Sequence, residues 1–138
     1  MRWAPWNAVV EGPEWKCVTR TWEDFTAAAA SDTDTVFSLP PGGVIHAVKV
    51  KHKAEFTGGD ATAVGIELGI ASDPNKYAVS FDVNQTPSGT AMAVNTLLGT
   101  ETEATSTAII ATLTVTDDTC DNLETGIVQF WILWSQPR

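Results

Sequence analysis

The chain has 138 residues, an apolar fraction of 43% and a formal net charge of −9. That is enough for one domain with a real core, and too acidic for a protein whose main role is to grip phosphates, which takes a basic surface. No run approaches the ~18 apolar residues of a membrane span, residues 1–13 lack the basic and long apolar stretches of a secretory leader, and two cysteines, Cys17 and Cys120, are too few for a disulfide scaffold. A soluble protein made in a cytoplasm, with both thiols reduced, is the expectation.

Residues 1–14 read as an arm, separate from a domain over 15–138. Trp3, Pro5, Trp6 and Pro13 surround Val9 and Val10, and proline removes backbone donors from regular structure. A first strand is expected over 17–20. Thr21-Trp22-Glu23-Asp24 then resembles a capping box with Asp in the last place. Four alanines follow at 27–30, so a short helix is expected over about 22–30, ended by Ser31-Asp32-Thr33-Asp34.

From there the pattern is strand, turn, strand. Strands are expected over 35–39, 44–56, 62–71, 77–85, 90–98, 107–116 and 127–135. Clusters such as Pro40-Pro41-Gly42-Gly43, Gly58-Gly59-Asp60, Ser72-Asp73-Pro74-Asn75 and Thr86-Pro87-Ser88-Gly89 break them. With the strand at 17–20 that makes eight, and many short strands with turn signals mean an all-β sandwich or barrel. Eight suit a jelly roll, though strand order does not follow from spacing.

Alternate side chains of a strand face opposite ways. Thr62, Val64, Ile66, Leu68 and Ile70 therefore form a core face. Opposite them lie Ala63, Gly65, Glu67, Gly69 and Ala71, a mostly small set that admits another backbone or subunit. Tyr77, Val79, Phe81 and Val83 form a second core face. The last strand differs: Val128, Phe130, Ile132 and Trp134 share one face, and Ile127, Gln129, Trp131 and Leu133 the other. Both are apolar, so both should be covered. A one-core domain covers only the first; the second cover must come from another layer or another subunit. Six Trp in so short a chain fit a protein built for interfaces.

Few residues suggest chemistry. His46 and His52 sit six residues apart, roughly 20 Å at ~3.3 Å per residue, too far to share a metal; both are expected at the surface or at a cap. Lys49, Lys51 and Lys53 stripe the face opposite Val48 and Val50. They either guard a solvated edge or dock an acidic partner. Asp117, Asp118 and Asp121 crowd one loop with Asn122 and Glu124, but without the EF-hand spacing, and turn chemistry accounts for them. Glu101 and Glu103 lie in a polar segment that gives no reason for a raised pKa. With no nucleophile elbow, zinc helix or phosphate loop, no enzyme activity, metal or cofactor is expected.

Four segments together resemble small structural proteins encoded in the virion gene modules of tailed bacteriophages. They are Phe37-Ser38-Leu39-Pro40-Pro41-Gly42-Gly43-Val44-Ile45, Val64-Gly65-Ile66, Lys76-Tyr77-Ala78-Val79-Ser80-Phe81-Asp82-Val83 and Trp131-Ile132-Leu133-Trp134-Ser135-Gln136-Pro137. The likeness runs from about Trp15 to the end. It implies a β-sandwich virion protein of the capsid decoration, or cement, type: a homotrimer on the capsid surface that binds the major capsid protein. Neither nucleic acid nor membrane is an expected partner. The interface candidates are Trp3, Trp6, Trp15, Trp131, Leu133, Lys49, Lys51 and Lys53. A tail or fibre module that binds host glycan is the alternative, and a minor head–tail component a third.

Overall fold

The computed structural model describes residues 13–87, 102–103 and 105–136. The predicted strand 90–98 and the arm's Trp3 and Trp6 lie outside them. The fold is all-β, a sandwich of two antiparallel sheets. Its strands are β1 (Glu14–Thr21), β2 (Ser31–Leu39), β3 (Gly43–Thr57), β4 (Ala63–Ile70), β5 (Asp73–Asp82), β6 (Thr102–Glu103), β7 (Thr107–Thr116) and β8 (Thr125–Ser135). One sheet runs β1-β8-β3-β6 and the other β2-β7-β4-β5. First pairs with last, second with second-last, and so inward to the β4–β5 hairpin. The chain is thus a long hairpin rolled into two layers.

The core forms where the layers face each other. Val18, Val48, Val50, Val128, Phe130 and Ile132 point inward from the first sheet; Val64, Ile66, Leu68, Ile109, Ala111 and Leu113 do so from the second. The Arg20–Asp34 ion pair closes the open side between β1 and β2. At the far end of β2, the rings of Phe37 and Trp134 meet across the layers at a 54° tilt, their centroids 5.1 Å apart.

Five expectations change. The short helix over 22–30 is absent: a single 3₁₀ turn, Trp22–Asp24, follows Thr21, whose hydroxyl and the Asp24 carboxylate form the anticipated box. The alanines cannot extend it because their carbonyls are used elsewhere. Ala27, Ala29 and Ala30 accept from the N–H groups of Asp121, Cys120 and Val115, which lays the segment along the β7 end. Ser31-Asp32-Thr33-Asp34 accordingly begins β2 instead of ending a helix.

On β5 the alternation slips. Ile66 pairs with Phe81 but Leu68 with Ala78, so β5 holds an extra residue there, a β-bulge. Ala78 turns into the core and Val79 is half exposed. The small face of β4 also has an internal explanation. A Cβ on Gly69 would stand 2.2 Å from the Asp73 carbonyl oxygen, and one on Gly65 2.7 Å from the Ser80 hydroxyl. The adjoining strand takes the space offered to a subunit. The predicted break before residue 107 holds the two-residue β6. Finally, His52 is a core residue, 2% exposed. One ring nitrogen, Nε2, lies 2.8 Å from the Ala54 carbonyl, and the ring sits between those of Phe56 and Phe81.

Candidate functional site

The outer face of the β1-β8-β3 layer is where the predicted residues meet. Pairing registers bring side chains on three strands into shared rungs. Trp15, Leu133 and Ala47 form one; Cys17, Trp131 and Lys49 the next; Thr19, Gln129 and Lys51 the third. The strands are held at these registers by the inner residues. Between the rung residues of β8, Val128, Phe130 and Ile132 point inward and are fully buried, and a one-residue slip would turn them all outward.

On this face Trp15 is 45% exposed and Ile127 38%, while Trp131 and Leu133 are half-buried. Trp15, Trp131, Lys49 and Lys51 line a shallow trough of about 380 Å³. The Lys49 ammonium lies 5.2 Å from the centre of the Trp15 ring, within reach of a cation–π attraction. That places its charge over the aromatic floor. Among the described residues the one ion pair is Arg20–Asp34, so Lys49, Lys51 and Lys53 have no carboxylate partner there. No described layer covers the face.

Of the predicted interface residues, Trp15, Trp131, Lys49 and Lys51 therefore meet in one trough, and Leu133 flanks it. Lys53 does not join them. The register shifts between His52 and Ala54, and Lys53 occupies the extra position, exposed to solvent. Sequence reasoning missed Cys17, which shares a rung with Trp131 and is exposed. Only the β1–β8 register reveals it.

The acidic loop has a structural task. Asp118 accepts from the side-chain amide of Asn122 and from the backbone N–H groups of Asp60 and Thr119. These bonds, the Asn122 one foremost, hold its carboxyl below the usual aspartate value of 3.8. Asp117 accepts from the Thr62 hydroxyl. Together they tie the β7–β8 loop to the β3–β4 turn. Among the described residues no three His, Cys, Asp or Glu side chains gather to hold a metal. Cys17 and Cys120 are both free thiols, the one exposed and the other buried. Burial, followed by the nearby charges of Asp32 and Asp121, pushes the Cys120 thiol up to about 11.

No protein-family model matches the sequence, and no curated protein matches it. Solved structures do match the fold. A chain of the cyanophage Pam1 capsid asymmetric unit superposes with a TM-score of 0.61 at 23% identity, covering 92% of this chain and 88% of that one. A chain of the Ralstonia phage GP4 capsid gives 0.57 at 16% identity, covering 93% and 86%. A chain of the acid-stable Helicobacter pylori bacteriophage KHP30 capsid gives 0.51 at 10%, covering 88% and 89%. The chain shares its β-sandwich fold, over 88–93% of its length, with components of three phage capsids.

Proposed function

We propose that this chain is a bacteriophage virion structural protein, and specifically a capsid decoration protein that binds the major capsid protein as a homotrimer on the capsid surface. The observation that carries the reading is the apolar trough lined by Trp15 and Trp131, which no other described layer covers, on a sandwich of this fold. Leaving an exposed Trp15 beside a half-buried Trp131 on one face of a small acidic protein costs solubility unless a neighbouring copy or the shell covers them. A shell offers the same partner surface many times, and modest contacts repeated by symmetry add through avidity. Such a part stabilises by burying surface and carries out no reaction. We read the nested pairing of first strand with last as a jelly roll.

Co-sedimentation tests this reading directly. The full chain is mixed with shells assembled from the major capsid protein of its own phage. Saturable pelleting with the shells, at three copies per binding point, is expected. A chain left wholly in the supernatant, with full occupancy of a glycan array instead, would move it to the second reading, a tail or fibre module for host glycan. That reading draws on the same two indoles, since sugars stack on exposed aromatic faces. A place as a minor head–tail component predicts ring counts other than three.

A further inference from the structure

The distribution of charge around the trough says how copies of this chain can meet. The molecule carries −9, so two copies repel unless a cationic surface lies between them. Lys49, Lys51 and Lys53 supply one, beside exposed apolar area, with no carboxylate answering them among the described residues. Trough against trough would set these lysines against their own copies, at a cost of several kcal/mol for like charges brought together. That excludes the two-fold, face-to-face dimer. What remains is a heterologous contact, in which the trough meets a different, acidic surface.

One acidic surface answers the trough in sign and is not consumed by internal ion pairs. Asp60, Asp117, Asp118, Asp121 and Glu124 gather where the β3–β4 turn and the β7–β8 loop are tied together. No cation pairs with them among the described residues, and the hydrogen bonds on Asp118 keep it charged. This end lies where β8 begins at Thr125; the Trp131 rung lies six residues along it, about 20 Å at ~3.3 Å per residue. At physiological salt the screening length is about 8 Å. Within one molecule, trough and acidic end are therefore electrically out of reach.

We propose that copies of this chain associate head to tail, the Trp15–Trp131 trough with Lys49 and Lys51 receiving the Asp60–Glu124 end of the next copy. Resting on the homotrimer reading above, this assigns the two surfaces that form its contact. A heterologous contact of this kind closes a ring or, where the rotation does not close, runs on as a filament.

The test is the solution mass of the full chain by light scattering, compared across salt and charge variants. In about 0.05 M salt, wild type should run at three times the single-chain mass of 14.8 kDa. It should fall toward one chain in about 1 M salt, where screening acts within about 3 Å. K49E/K51E and D60K/E124K should each run as single chains, with circular dichroism confirming the fold. The variant K49E/K51E/D60K/D121K/E124K, which makes the trough acidic and leaves lysines outnumbering the carboxylates at the other end, should regain the wild-type mass. As a readout that needs no variant, Cys17 should alkylate slowly at low salt and fast at high salt, because its rung is covered by the neighbouring copy. A wild type that stays at one chain, or variants that keep its mass, would overturn the head-to-tail contact. Shell co-sedimentation would still stand or fall separately.

Discussion

Trp131 and Phe130 are adjacent on β8 and live in different environments. Phe130 is fully buried and Trp131 only half-buried. Phe130→Ala leaves a cavity and should cost about 3–5 kcal/mol. Trp131→Ala removes only part of a buried side chain and should cost the free chain about 1–2 kcal/mol. Urea unfolding of the two variants checks the contrast; equal losses would mean the outer face is covered within the chain. Gly69→Ala is a sharper test, because its new Cβ would meet the Asp73 carbonyl at 2.2 Å, and backbone cannot give way as a side-chain tip can. A loss of about 2–3 kcal/mol is expected for such overpacking.

The cysteines make a pH prediction with a definite sign. Below the ordinary thiol range Cys120 is protonated in both folded and unfolded chains and has no effect. Above it the unfolded chain ionises while the folded chain holds its proton up to about 11. The folded state then binds more protons, so stability falls as pH rises through that window. Cys120→Ala should flatten this limb of a stability–pH curve. At pH 8, native protein should incorporate one thiol label, on Cys17, since thiolate and access are both needed. Two labels at equal rates would contradict the buried placement.

At the scale of elements, the apolar alternation of β8 and β4 was legible because β8 pairs with β1, and β4 with β7, without interruption. β7 was predicted to the residue at both ends. Where the reading failed, the cause was a partner far along the chain. The alanine segment has helix propensity, yet its carbonyls bond residues of the β7 end, and no local pattern announces that. The β5 bulge reverses Val79 because strand count, not periodicity, decides a bulge. His52 was misplaced because histidine type suggests water, whereas its position beside Val48 and Val50 already implied the core. The loop tie through Asp118 belongs at this scale too. Its lowered carboxyl contributes stability that is present above the ordinary aspartate value and is lost as pH falls through the lower folded one. Asp118→Asn should reduce that acid-side slope, read by thermal melts across the acid range.

For the molecule as a whole, Lys49, Lys51, Trp131 and Trp15 were each named from the sequence, but their union depended on strand order. Nothing in spacing told that β8 would stand between β1 and β3. That insertion converts three separate patterns, a lysine stripe, an aromatic strand and a lone indole, into one surface. The fold shared with phage capsid chains came from all the strands together; the surface comes from three of them.

The pairing of the first strand with the last has a practical corollary. Glu14 and Trp134 are direct neighbours, about 5 Å apart as antiparallel partners are. A peptide spliced ahead of Pro13 and another appended after Gln136 would leave from the same corner, away from the acidic loops at the other end of β8. A short bridge between those two positions, with a new opening cut at the Gly58-Gly59 turn, would yield a permuted chain with every sheet intact. Whatever surface the sandwich covers, foreign sequence carried at that corner would be displayed at a single point per copy.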